Sequence, residues 1–198
     1  MALAPWRSIL AGVLHRNRSL AYARYLQLAT VRSDGYPANR TLVFRGFLGE
    51  TNQLKFITDD RSEKIEQIEQ QSWGEACWYF PNTREQFRLL GTLMLVQANH
   101  PEPELVKARH IQWQELSDAA RIQFAWADPR QPRAEASTFN PPLPDAIEPL
   151  SNFCLLLLDP VQVDHLELRG EPQNRTIYRR QSDNSDDEPE WTVQSVNP

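Results

Sequence analysis

An α+β barrel built mainly of antiparallel strands is the architecture this 198-residue sequence predicts. Three observations carry the prediction. Short apolar or alternating segments are separated by Gly-, Asp- and Pro-containing turns, which is the pattern of hairpins. Helical periodicity appears only in scattered stretches, against the alternating βα units of a doubly wound nucleotide fold. Seven glycines, with no Gly-x-Gly-x-x-Gly or phosphate-loop pattern, argue against a backbone-cradled dinucleotide.

Each element follows in turn. Pro5 to about Leu14 sets Trp6, Ile9, Leu10, Val13 and Leu14 at helical spacing, with Pro5 suited to a first turn, and this helix plugs one side of the barrel. Arg18 to Leu26 extends it or forms a second short helix. Leu28 to Arg32 turns to a strand closed by Ser33-Asp34-Gly35-Tyr36-Pro37, where Asp-Gly meets a turn's need for positive φ. The organising stretch runs from Asn39 to Lys64. In it Arg40 to Phe47 and Leu54 to Thr58 read as two antiparallel strands joined by a turn at Gly49 to Asn52. A helix follows to about Gln71, with Asp60 and Glu63 at capping-box spacing, Ile65 and Ile68 inward, and Gln67 among the solvated positions.

Ala76 to Phe80 and Gln86 to Gln97 are strands around Pro81-Asn82-Thr83. Pro101 to Ile111 and Ser117 to Ala127 are helical, with Ser117 as N-cap. Residues 128–149 hold six prolines and little periodicity, giving an extended loop that is either a mobile lid or a plain surface connection. Asn152 to Leu158, Val161 to Leu168 and Arg175 to Arg180 are strands. Residues 182–190, SDNSDDEPE, form an acidic hairpin tip or disordered loop whose role is solvation, and Trp191 to Val196 is the closing strand.

Composition narrows the functions. The length suits one domain, residues 1–198. With 26 acidic and 21 basic side chains the formal charge is −5, so a nucleic-acid partner has no global electrostatic support and any anion site is local. No apolar run reaches membrane-spanning length and no signal peptide is evident, which gives the expectation of a cytoplasmic protein without a membrane partner. Cys77 and Cys154 lie in apolar runs and read as buried thiols. His15, His100, His110 and His165 show no metal-ligand spacing, and no Ser or Cys sits in a nucleophile elbow.

The chemistry concentrates in the organising stretch. Arg40 on a strand, Thr58 at a strand end, and Ser62 and Lys64 in a helix first turn converge on one small anion, with free N–H groups and the positive helix end adding to the cations. The same residues also read as an amphipathic hairpin whose arginines snorkel to water, followed by an ordinary charged helix.

Arg40-Thr41-Leu42-Val43-Phe44-Arg45, then Phe56-Ile57-Thr58, then Arg61-Ser62-Glu63-Lys64 resemble, in that order, the flavin-binding core of the pyridoxamine 5′-phosphate oxidase family, an FMN-binding split barrel. Phe80-Pro81 with Thr83, Glu85 and Gln86, then Asn174-Arg175 with Tyr178, and Trp191 near Pro198 extend the resemblance over nearly the whole chain. The segment Trp113 to Ser117, followed by Arg121 and Phe124-Ala125-Trp126, is similar to a branch of uncharacterised FMN-binding proteins. The resemblance implies a homodimer with FMN at the subunit interface. Arg40 and Lys64 match phosphate-binding positions, helped by Ser62 and Arg61; the backbone of Thr41, Leu42, Val43, Ile57 and Thr58 matches positions along the ring and ribityl chain; Gln86 and Arg175 match side chains that contact the flavin.

The departures concern the substrate. Arg45 stands where the oxidase proper has lysine, Glu63 replaces an arginine, and Glu171 and Gln173 replace an Arg-x-His pair. Arg45, Arg88, Trp113 and Trp126 are candidates for the open flavin face, against the plainer reading of the tryptophans as core or interface residues. Three functions follow: an FMN-dependent oxidoreductase of unassigned small-molecule substrate, a true pyridoxamine or pyridoxine 5′-phosphate oxidase with different substrate ligands, and a non-catalytic flavin- or haem-binding dimeric module.

Overall fold

In the computed structural model, which describes residues 3–181 and 190–198, an eight-stranded antiparallel sheet is organised around one long strand. The strands are β1 (Tyr25–Val31), β2 (Pro37–Val43), β3 (Leu54–Asp59), β4 (Trp73–Phe80), β5 (Glu85–Val96), β6 (Phe153–Glu167), β7 (Asn174–Arg180) and β8 (Trp191–Val196). Their order is β2-β1-β4-β5-β6-β7-β8, and β3 pairs β6 off this path. Along one edge β6 pairs with β5; along the other it takes β3 from Phe153 to Leu158 and β7 from Gln162 to Glu167.

Two expected strands, Asn152 to Leu158 and Val161 to Leu168, are therefore one 15-residue strand. Pro160 sits within it where the register against β5 shifts at Leu90/Gly91. A Cβ on Gly91 would lie 2.1 Å from the Asp159 carbonyl oxygen, so only glycine lets the two backbones meet there.

The expected hairpin between Arg40–Phe47 and Leu54–Thr58 is not a continuous ladder. β2 pairs β1, with Arg40 opposite Leu28, whereas β3 pairs β6, with Thr58 opposite Cys154. Gly46, at φ +105°, bends the chain out of β2. Among the described residues their backbones meet again at the Phe47–Leu54 bridge and through the Arg45 N–H to Lys55 C=O (2.9 Å) and Lys55 N–H to Gly46 C=O (2.8 Å) bonds, while the Phe44 and Phe56 rings meet edge-on beneath. The sheet is thus not closed, and the split lies between β2 and β3.

Helix α1 (Pro5–Arg16) buries Trp6, Leu10 and Val13 against Leu28, Phe44, Phe56, Trp78 and Leu156 of the main core, while Ile9 faces out. It ends at buried Asn17, whose amide donates to the Val13 carbonyl at 2.8 Å and whose Oδ1 accepts the Asn82 N–H at 2.9 Å. Residues 18–24 then run as turns into β1, not as a second helix. Helix α2 (Lys64–Gln70) begins later than the capping-box reading expects and has no side-chain cap. Asp59, not Asp60, takes the free Arg61 N–H, at 2.9 Å. Gln67 is buried rather than solvated, because its Oε1 accepts from Thr30 and Arg40. Helix α3 (Pro103–Gln114), helix α4 (Asp118–Arg121) and a 3-10 turn (Ile122–Ala125) cover the start of β6 with a second cluster of Trp113, Leu116, Phe124 and Phe153. Residues 128–149 are irregular apart from a 3-10 turn at Ala136–Phe139. The acidic stretch 182–190 lies outside the described residues except for Glu190.

Candidate functional site

A cavity of about 1000 Å³ opens at the split, between β2 and β3 on one side and residues 123–139 on the other. Thr41, Leu42, Val43, Arg45, Ile57, Arg61, Ser62, Lys64 and Trp126, nine of the sequence candidates, line it. Among the described residues β2 is the first strand of the sheet order and β3 has a ladder only with β6, so each leaves one backbone edge outside the ladders at the split. Such an edge offers N–H and C=O groups to a polar, planar ligand.

At one end Lys64 Nζ donates to Thr58 Oγ1 at 2.9 Å and Ser62 Oγ at 2.8 Å. Burial, reinforced by the nearby Arg40 charge, pushes its pKa down to about 8. Arg40 lies just behind the lining and donates to Leu28 O (3.2 Å), Thr30 Oγ1 (2.6 Å) and Gln67 Oε1 (3.0 Å). Burial and the Arg32 charge lower its pKa as well. Among the described residues neither cation meets a carboxylate within ion-pair distance. Two partly buried cations whose hydrogen bonds reach only neutral oxygens carry positive charge that the Asp59 carboxylate, acting on Lys64 from beyond ion-pair distance, does not cancel, and a phosphate dianion fits that need. The residues present therefore fit the phosphate of FMN.

Arg61, expected to help with phosphate, is committed elsewhere. Its guanidinium spans the Asp59 carboxylate (2.9 and 2.6 Å), the Phe124 and Trp126 carbonyls (3.1 and 3.0 Å) and Asp128 (2.8 Å). Burial alone would raise the Asp59 carboxyl, but hydrogen bonds and charge from Arg61 hold it below its ordinary range. Among the described residues, Arg45 has a buried Nε, and Trp126 a buried Nε1, without a hydrogen-bond partner. Trp126 also meets Phe139 edge-on at 5.9 Å.

Thr58, 4% exposed on β3, lies behind the lining and reaches the site through its bond from Lys64; the other candidates are not in this cavity. Gln86 and Arg88 on β5 and Arg175 on β7 lie on a different part of the sheet, where both arginines bond Asp164. Those bonds outweigh the upward effect of burial and keep the Asp164 carboxyl low. Trp113 corrects a substrate expectation: it is 0% exposed, packs 5.0 Å from Phe153 and donates to the Asp145 carbonyl at 2.9 Å. A side chain so enclosed does not meet a ligand.

The sequence reading left residues 128–149 between a mobile lid and a plain surface connection and named none of its side chains; Arg130, Arg133 and Phe139 of that stretch line the cavity as its far wall. The only signal was two arginines in a Pro-rich segment without periodicity. It also missed that Glu85, His165 and Glu167, distant in sequence, bring ligand-type atoms within 4.8 Å of one another. In that group Glu85 already accepts from Arg16 (3.0 Å) and meets His165 (2.8 Å).

With this geometry in view, residues 3–97 match the profile of the pyridoxamine 5′-phosphate oxidase FMN-binding domain. A curated relative, pyridoxine/pyridoxamine 5′-phosphate oxidase 2 of Arabidopsis thaliana, is 35% identical over 197 residues, covering 99% of this chain and 98% of the relative. The chain belongs to the pyridoxamine 5′-phosphate oxidase family. A crystal structure of a family-related FMN-binding protein from Nostoc punctiforme is 63% identical, with complete coverage of both chains and a TM-score of 0.94. PhzG from Burkholderia lata, 17% identical with a TM-score of 0.76 over 96% of this chain and 91% of its own, shares the fold.

Proposed function

We propose that this chain is an FMN-dependent oxidoreductase, a single-domain protein acting as a homodimer on a small-molecule substrate yet to be assigned. The observation that carries the reading is Lys64 at the end of a cavity flanked by open strand edges, with Arg40 behind the lining and, among the described residues, neither cation paired with a carboxylate. In this reading Lys64, Ser62 and Thr58 hold the phosphate, and Arg40 stands behind them as the second charge. The backbone edges at Thr41–Val43 and Ile57–Thr58 meet the ribityl chain and ring. FMN, when bound, supplies the hydride-accepting centre. The chain's own task is to orient the ring, exclude water and present Arg45 and Trp126 to whatever lies on the open face.

Gln86 and Arg175 lie outside the cavity of their own chain, so they reach a flavin only from a second subunit. That supports a two-fold dimer with two equivalent sites. Among the described residues no helix is long and apolar enough to cross a membrane. The free thiols of Cys77 and Cys154 are consistent with the proposed cytoplasmic location.

The test is an absorbance spectrum of the purified protein with and without added FMN, repeated for Arg40→Ala and Lys64→Ala. Flavin bands in the native protein that vanish in both variants are expected; a native protein that takes up no FMN overturns the reading. A second reading, oxidation of pyridoxine or pyridoxamine 5′-phosphate, is favoured by the full-length 35% match to a protein named for that activity. Oxygen uptake with pyridoxal phosphate formation by the FMN-loaded protein tests it, and its absence at saturating substrate rejects it.

A further inference from the structure

Arg61 sits between Ser62 and Lys64 on one side and the far wall on the other, and all five of its side-chain N–H donors are used. Nε and one Nη2 proton go to the two Asp59 oxygens, the second Nη2 proton to Phe124 O, and the Nη1 protons to Trp126 O and Asp128 Oδ1. Asn152 reinforces the same junction, donating to Asp59 Oδ2 and to Phe124 O at 2.9 Å each. Two residues further on, Glu63 pairs with Arg130 of the wall. The turn that carries the cradle hydroxyl and ammonium is thus also the turn to which the wall is fastened.

The wall has few other ties. Phe124 at its root packs in the second core against Trp113 and Phe153, but beyond Asp128 the backbone is irregular apart from the 3-10 turn at Ala136–Phe139, and its side-chain contacts include the Trp126–Phe139 ring pair and Arg133 stacked 4.4 Å over Phe139. With Phe124 fixed by the second core and by Asn152, the stretch from Trp126 to Asp128 takes its side-chain hydrogen bonds from this one guanidinium and follows it.

We propose that Arg61 is a positioning residue, a clamp that couples the phosphate cradle to the wall of the cavity. Seating a phosphate on Ser62 and Lys64 fixes the turn, the turn fixes Arg61, and Arg61 closes residues 126–134 over the open flavin face. This rests on the FMN reading for the nature of the anion, whereas the clamp itself rests on the five hydrogen bonds. Coupling is reciprocal, so a closed wall tightens FMN by the factor with which FMN closes the wall.

Limited trypsin digestion of the full-length protein, with and without FMN, reads the wall directly, because Arg130 and Arg133 are exposed cleavage sites within it. Native protein is expected to be cut more slowly after both residues when FMN is present. Arg61→Lys keeps the charge but loses the fork, and Asp128→Ala removes one tie without touching the cradle side. Each is expected to speed cleavage at those two bonds by about tenfold, as an opening equilibrium that loses charge-assisted hydrogen bonds requires. In both, the FMN protection shrinks and FMN binds more weakly by the same factor, with cleavage elsewhere and the thermal midpoint unchanged. The clamp is overturned if both variants keep native cleavage at Arg130 and Arg133, or if cleavage rises at every site in step with a falling midpoint. Should native protein bind no FMN, the proposed function fails, while the ligand-free cleavage rates still decide the clamp.

Discussion

Lys64 makes FMN affinity depend on pH in a direction set by its surroundings. In the unliganded chain burial and the Arg40 charge bring its pKa down to about 8 from 10.5. A phosphate dianion seated against the ammonium stabilises the charged form and raises that pKa again. Below about pH 8 the lysine is protonated with or without ligand, and affinity is flat. Above it, binding must take up a proton, and affinity falls by roughly tenfold per pH unit until the complex itself deprotonates. Because the folded-state pKa is depressed, the unfolded chain binds more protons between pH 8 and 10.5, so the unliganded protein is stabilised as pH rises through that window. The gain is at most about 3 kcal/mol, at roughly 1.4 kcal/mol per pH unit. Quenching of flavin fluorescence, titrated at half-unit steps from pH 7 to 9.5, measures the profile. Lys64→Arg, which keeps its charge throughout, is expected to flatten it. A native profile that is flat across pH 8, or an equal slope in Lys64→Arg, would refute the reasoning.

Other expectations follow from single contacts. Arg40→Ala removes one of the two uncompensated cations and weakens FMN by at least about tenfold, as the loss of a charge-assisted hydrogen bond implies; equilibrium dialysis reads it. Trp113→Ala opens a void among Leu116, Phe124 and Phe153, which costs about 3–5 kcal/mol in urea unfolding yet leaves the FMN affinity of the folded protein unchanged. Gly91→Ala forces a Cβ to within 2.1 Å of Asp159 O, so β5 and β6 must part and the thermal midpoint falls by several degrees in calorimetry.

Much of this molecule was legible from local pattern, and the failures are long-range. Strand identities followed from apolar alternation, and the hydroxyls and ammonium of the cradle from their closeness in sequence, since Thr58, Ser62 and Lys64 share one turn. The pairing of those strands did not follow. β2 and β3 alternate as a hairpin does, but β3 finds its partner in Phe153–Leu158, whose unbroken apolar run buries it on both sides. Gln67 read as solvent-facing because glutamine usually is, and only the Arg40 and Thr30 side chains, distant in sequence, explain its burial. Arg61 looked like a phosphate ligand because its acceptors at residues 124–128 belong to a segment with no periodicity to place it. The plainer reading of Trp113, as core, was the correct one.

The pairing of β3 with the first half of β6 has a bearing on biosynthesis. Leu54 meets Leu158 and Asp59 meets Phe153, so the strand that carries Thr58 waits for a partner roughly a hundred residues downstream. β1, β2 and β4 have their ladder partners, and β5 one of its two, within the first half of the chain, and this part can assemble as soon as that half leaves the ribosome. The nascent chain therefore holds its arginine early and its lysine turn unanchored, and it becomes competent for cofactor only in the final quarter of synthesis.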